Sequence, residues 1–383
     1  GFVIVTAEPR AGKSGVVKDY VQSRDSSAAT FYVRAEDFDK PHLNDVFVSM
    51  GISSDLHQLA SHFSLLKEKI LIIESIEKVL ELNNSAAFID LLNFIRLQGG
   101  WCVIATGRDY AYQQLAFNYL QPCGLKFKSV KVSGFTDGQV EEICNNVPEL
   151  RQLTGNPAIS ELLHNPFFID LAVRALANGA KFESGNTEGD FRTIVWNSVI
   201  ERQSDRRNGM PARRRATFIE VAKLRAKRMV FGVPDTGFDP AVVAKLEEDN
   251  LIRRDARSSL ISPSHDVLED WALGEFIENE YLENLGAPNN FLAAIGSEPA
   301  IGRGLRLWMG FKLAAEAELT DLIESILTAD DISSHWKDEV VATVLLSPDP
   351  SRFFNLLQDK LLANQCILLI RFSFILRIAC QRP

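Results

Sequence analysis

Phe2-Val3-Ile4-Val5-Thr6-Ala7-Glu8-Pro9-Arg10-Ala11-Gly12-Lys13-Ser14-Gly15 opens the chain with an apolar run followed by a small, basic, glycine-bearing turn. The apolar run predicts a buried strand, and Ala7 to Ser14 has the spacing of a phosphate-binding loop between a strand and a helix. Such a loop turns successive backbone N–H groups inward, and the positive end of the next helix adds to the same field. Ala7, Pro9, Arg10, Ala11, Gly12, Lys13, Ser14 and Gly15 are the expected cradle for the nucleotide. Lys13 is expected to reach the β- and γ-phosphates, and the Ser14 hydroxyl to ligate Mg²⁺. Ala7 stands where the strict pattern has its first glycine, a small residue that fits if φ stays negative. The motif implies a nucleoside-triphosphate site.

A phosphate loop needs an acid to hold the metal and prepare water. Ile70-Leu71-Ile72-Ile73-Glu74-Ser75-Ile76-Glu77 supplies one: a buried strand ending in a carboxylate. Glu74 is expected in the Mg²⁺ shell and Glu77 as the group that orients or deprotonates water. Aspartate is usual at the first position, so the longer Glu74 is a departure. The next apolar run ends in Thr106-Gly107-Arg108-Asp109, which places Thr106 and Arg108 toward the γ-phosphate; the plainer alternative pairs Arg108 with Asp109. Pro166, in His164-Asn165-Pro166, opens a helix, and its ring is a candidate to pack on the base, with Pro157 second. His265, in Ser264-His265-Asp266, starts another helix, either as a donor to a diphosphate with Asp266 fixing its ring or as an ordinary cap.

Working outward, Phe2–Thr6, Thr30–Val33, Lys69–Ile73 and Trp101–Ala105 read as buried strands alternating with helical sequence, and Ser129–Val132 is a candidate fifth. That pattern predicts an α/β domain built on a parallel sheet, with ligands at the carboxyl ends of its strands. Thr136 to Gly179 reads as helical and opens on a capping box at Thr136 and Gln139. Residues 187–285 carry helices followed by a β hairpin, the outline of a winged helix. Paired amphipathic helices follow Leu285. The expected division is a P-loop NTPase domain at 1–131, a helical domain at 132–182, a winged-helix domain at 183–285 and a helical, repeat-like region at 286–383.

Of 383 residues, 46% are hydrophobic and 24% charged, ordinary for a globular protein, and the net charge of −9 argues against a general nucleic-acid coat. A basic segment from Arg206 to Arg228 offers a local exception, read either as a DNA surface or as a face paired with acids such as Glu247, Glu248 and Asp249. The five cysteines are dispersed and without metal-ligand spacing, which points to reduced thiols in the cytoplasm. The apolar segment Leu361–Cys380 is interrupted by Arg371 and Arg377, so a buried helix is expected there rather than a membrane span. Gly1 falls inside the first strand, and the expectation is a fragment with an N-terminal domain missing.

Taken in order, the loop at Lys13 and Ser14, the acid Glu74, Thr106 and Arg108, Pro166 and the His265-Asp266 pair resemble the STAND class of P-loop NTPases, related to NACHT and NB-ARC signalling proteins. The resemblance covers roughly residues 1–285. It implies an ATP/ADP switch in which His265 contacts the β-phosphate of ADP in a closed form. It also implies ATP-driven opening and homo-oligomerisation, a protein trigger sensed by the C-terminal helices, an N-terminal effector absent from this chain, and a role in antiviral defence. Neither nucleic acid nor membrane is an expected partner. The competing readings are an AAA+-type ATP-driven motor or loader and a winged-helix DNA-binding regulator.

Overall fold

The computed structural model describes the chain apart from residues 8–10, 25–27, 54–55, 67, 83, 109–111, 256–258, 315–318, 348 and 380–383. It divides into two compact units, residues 1–173 and 174–383.

The first unit is the expected parallel α/β domain. Strands β1 (Phe2–Ala7), β2 (Ala29–Arg34), β3 (Lys69–Glu74), β4 (Trp101–Arg108) and β5 (Phe127–Lys131) lie in the order β2-β3-β4-β1-β5, every pairing parallel. The near-continuous apolar runs of β1, β3 and β4 suit interior strands of a sheet covered on both faces. Ile4 and Ile73 both pair with Ala105, so Val5, Glu74 and Thr106 stand level one residue on.

Helices α1 (Lys13–Gln22), α2 (Leu43–Ser49), α3 (Leu56–Ser64), α4 (Ala86–Gln98) and α5 (Tyr112–Leu115) connect the strands. On one face Ile4, Leu71, Ile73 and Val103 join Leu43 and Val46 of α2 and Phe88 and Leu92 of α4 in a single buried core. Phe63 closes it edge-on against Phe31 and Trp101, at ring separations of 5.1 and 5.2 Å. The opposite face is thinner: Val5, Ile70, Ile72 and Ile104 pack on Val17 of α1. Beyond the sheet come α6 (Asp137–Asn146), α7 (Arg151–Thr154), α8 (Pro157–Leu163) and α9 (Pro166–Ala177). The predicted capping box opens α6: Thr136 Oγ1 accepts from Gln139 N–H at 3.4 Å, and Gln139 Oε1 accepts from Thr136 N–H at 2.9 Å. Both prolines singled out above begin helices, where a missing N–H is harmless.

The second unit contains α10 (Glu188–Val195), α11 (Met210–Arg228), β6 (Val233–Pro234), α12 (Pro240–Glu248), β7 (Ile252–Arg254), β8 (Leu260–Pro263) and α13 (Asp266–Glu283). The β7–β8 hairpin is the expected one, closed where Asp255 N–H donates to Leu260 O at 2.8 Å. Its two-residue partner β6, completing the order β6-β8-β7, carries too little periodicity to be foreseen. Helices α14 (Pro288–Ile295), α15 (Pro299–Ala314), α16 (Thr320–Thr328), α17 (Ser334–Leu345), α18 (Pro350–Leu356), α19 (Gln358–Leu362) and α20 (Ile367–Ala379) follow.

The expectation of one buried helix over Leu361–Cys380 needs correction. Asn364, Gln365 and Cys366 all have positive φ and break it, and α20 buries Phe372 and Ile375 while exposing Ile367, Ile370 and Phe374; Cys380 lies outside the described residues. Among the described residues, no helix is long and apolar enough to cross a membrane.

Candidate functional site

Strand β1 ends at the buried Ala7, and α1 begins at Lys13 after Gly12, which adopts φ 83° and ψ 16°. That left-handed turn suits glycine, since a Cβ there is strained. A Cβ at Gly12 would also lie 3.5 Å from Cγ of Pro166, so the proline ring sits directly against the loop. Ala11 is buried, while Ser14 and Gly15 are exposed in the first turn of α1. That turn carries no acidic side chain of its own, which suits an anion at its N–H groups. Pro9 and Arg10 lie outside the described residues. Lys13 Nζ donates to Ala7 O at 3.3 Å, which folds the ammonium back to the end of β1.

Glu74 ends β3, and Ser14 Oγ donates to its Oε1 at 3.3 Å. The sequence-predicted metal pair is therefore together. Ser75 then takes φ 55°, an uncommon conformation for a side-chain-bearing residue. Its N–H donates to Thr106 Oγ1 at 3.2 Å, pinning this turn to β4. The turn redirects the chain into a short 3₁₀ segment, Ile76–Glu81, and brings Glu77 back toward the strand ends.

Glu77 is 8% exposed. Arg108 Nε lies 3.4 Å from its Oε1, so Arg108 pairs with Glu77 rather than standing alone at the end of β4; Asp109, the alternative partner, lies outside the described residues. Glu77 Oε2 is buried and has no hydrogen-bond partner among the described residues. Burial raises the pKa of this carboxyl, opposed by its own backbone N–H and by the charges of Arg108, Lys13 and Lys78. A partly desolvated carboxylate facing three cations is a proton acceptor poised above the ordinary glutamate range.

Gly107 makes room for it. A Cβ there would meet Ile76 Cγ2 at 2.9 Å and Glu77 Oε2 at 3.5 Å. Gly107→Ala is expected to cost about 1–3 kcal/mol by overpacking, read as a lowered midpoint of thermal unfolding. A midpoint equal to that of the unsubstituted protein would mean that Ile76 yields freely.

Hard oxygen donors on Ser14 and Glu74 fit Mg²⁺, which at phosphate sites is held by one or two carboxylates plus the substrate's own oxygens. Among the described residues no cluster of three or more His, Cys, Asp or Glu side chains could hold a metal by itself. Two contributors went unnoticed in the sequence: Gly107, and Tyr32 on β2, whose hydroxyl bonds to Glu74 Oε2.

His265, in the second unit, is the N-cap of α13, its Nδ1 accepting from Val267 N–H at 3.3 Å. The neutral ring therefore carries its hydrogen on Nε2. Several of the basic side chains of α11 meet acids: Arg213 pairs with Asp239, Arg215 with Glu275 at 2.7 Å and Arg225 with Glu269. The buried Arg214 reaches Asp249 at 2.8 Å and donates to Ile200 O and Val199 O. Arg206, Arg207 and Arg228 are exposed.

No protein-family model and no curated protein matches this sequence. Solved structures give distant likenesses. A Walker-type ATPase of Pyrococcus abyssi is 14% identical, over 71% of this chain and 90% of that one, with a TM-score of 0.34. The ADP form of the ORC2 protein of Aeropyrum pernix is 13% identical, over 78% and 89%, at 0.36. The ORC1 protein of Aeropyrum pernix, solved in complex with DNA, is 15% identical, over 72% and 86%, at 0.34. Similarity at this level carries neither ligand nor partner onto this chain.

Proposed function

We propose that the protein is an ATP-driven P-loop ATPase of AAA+ type, which binds ATP with Mg²⁺ in its first unit and hydrolyses it. One observation carries the reading. The glycine-capped start of α1, with Lys13 and Ser14, converges with Glu74, Thr106 and Glu77, whose Oε2 has no hydrogen-bond partner among the described residues, at the carboxyl ends of β1, β3 and β4.

In this reading the main-chain amides of the loop and Lys13 Nζ hold the β- and γ-phosphates, and Pro166 lies at the loop beside them. Ser14 and Glu74 would hold Mg²⁺, which would supply positive charge to offset that of the phosphates. Glu77 Oε2 accepts a proton from water as the water oxygen bonds to the γ-phosphorus and the bond to the β–γ bridging oxygen breaks, leaving ADP and phosphate. Arg108 holds Glu77 in place through Oε1, and Thr106, whose oxygen already accepts from Ser75 N–H, directs its O–H toward the γ-phosphate. Titration calorimetry with ATP and ADP in Mg²⁺ tests the site, and the absence of any heat at millimolar nucleotide would sink it.

The four-part division at 131, 182 and 285 and a winged helix formed by α10 to α13 with β6–β8 belong to the same proposal, as do homo-oligomerisation and a cytoplasmic location. The signalling switch is the second reading, supported by the order of motifs that resembles STAND proteins, and in it His265 would contact the diphosphate of ADP. A switch retains ADP and turns over slowly; a loader or motor turns over continuously, faster with its substrate. His265→Ala discriminates. The switch reading expects loss of copurifying ADP and a shift to larger particles. The loader reading expects only the lost cap, about 0.5–2 kcal/mol of stability, with nucleotide content and particle size unchanged. DNA binding by the second unit is the third reading, through exposed cations such as Arg206, Arg207 and Arg228, and a salt-independent or absent interaction removes it.

A further inference from the structure

Both oxygens of the Glu74 carboxylate are engaged: Ser14 Oγ donates to Oε1, and Tyr32 Oη donates to Oε2. Tyr32 reaches it from β2, the edge strand, where it pairs with Ile72, two residues before Glu74 on the same face of the sheet. Its ring, with Val17, Val21 and Ile72, lines a cavity of about 410 Å³ that also reaches Ser14, Glu74 and Thr106. Tyr32 is 52% exposed, so packing alone does not account for its orientation toward the carboxylate.

A glutamate arm has one more rotatable bond than an aspartate, and a freely rotating carboxylate is a poor partner for a cation that demands near-ideal octahedral geometry. We propose that Tyr32 is a positioning residue: its phenol O–H holds Glu74 in the rotamer that turns Oε1 to Ser14, and so lets a glutamate serve where an aspartate is usual. This rests on the nucleotide reading of the site. Two consequences separate it from a general structural role. The contribution of Tyr32 is confined to the metal-dependent part of nucleotide binding. It also disappears when the acid is shortened, because a carboxylate one methylene nearer the backbone is displaced from the phenol.

The test is a double-mutant cycle on the full chain with Tyr32→Phe, Glu74→Asp and the combined variant. ATP affinity is measured by calorimetry in Mg²⁺ and again in EDTA. Tyr32→Phe is expected to reduce the gain in affinity from Mg²⁺ roughly tenfold, the scale of one hydrogen bond to a charged group, with affinity in EDTA unchanged. In the Glu74→Asp background the same substitution is expected to change nothing. An undiminished Mg²⁺ gain in Tyr32→Phe, an equal loss in EDTA, or an equal effect in the Glu74→Asp background each overturns the proposal. ATP binding that is indifferent to Mg²⁺ in the unsubstituted protein and unchanged in the Lys13→Ala variant would instead overturn the site reading, and this inference with it.

Discussion

Lys13→Ala is expected to weaken ATP binding by at least about 100-fold, the combined scale of two charge-assisted hydrogen bonds to phosphate. The ammonium is the one side-chain cation carried by the first turn of α1, and it already lies at the end of β1 through its bond to Ala7 O. Removing it leaves the main-chain amides and the helix end, which favour an anion modestly. Stability is expected to fall by about 1–3 kcal/mol, because the carbonyl of the buried Ala7 loses this donor. Calorimetry with MgATP, paired with a thermal melt, checks both halves of the expectation. Equal affinity in the variant would mean that the nucleotide, if bound, is gripped elsewhere.

Glu77→Gln is expected to slow hydrolysis about 10²- to 10⁴-fold, the usual contribution of a general base, while sparing nucleotide affinity. The substitution keeps shape while removing the negative charge that faces Arg108 and, with it, the capacity to take a proton. It also has a stability signature whose sign follows from burial. The folded chain holds the Glu77 proton more tightly than the unfolded chain, where the ordinary value is 4.5, because desolvation outweighs the backbone bond and the charges of Arg108, Lys13 and Lys78. The stabilising protonated form is therefore fully present below 4.5, and its contribution is lost as pH rises through the higher folded value. A neutral amide at this position has no such loss. The variant should melt above the unsubstituted protein at neutral pH, and the difference should shrink on acidification toward pH 4.5. A variant that melts lower at every pH would identify Glu77 as a structural partner of Arg108, and normal turnover would move the water-activating role to another group. A site that sacrifices stability for reactivity is the expected compromise at a catalytic carboxylate.

Much of this site was legible along the chain because its parts are local. A strand that stops at Ala7, a glycine at position 12 and a lysine at 13 describe consecutive backbone geometry, which neighbouring residues largely set. Glu74 was legible for the same reason, as the first polar residue after four apolar ones. The proline at 166 announced a helix start through the chemistry of its ring. The hairpin of β7 and β8 was readable from two short apolar runs around a turn, whereas β6, at two residues, was not. The fate of the basic segment was undecidable from composition, since Arg213 and Arg214 find Asp239 and Asp249 only after α12 has returned to α11.

Local chemistry along the chain was enough for the glycine turn before α1, the alternating strands and helices, and the placing of Glu74 at a strand end. Tertiary structure decided which groups meet: Tyr32 with one oxygen of Glu74, Ser14 with the other, Arg108 with Glu77, and Gly107 beneath them. The physical reason lies in range. A dihedral preference or a cap is an energy between neighbours in the chain. A hydrogen bond across 42 or 60 residues exists only once strand order and register have brought both partners to the same edge of the sheet.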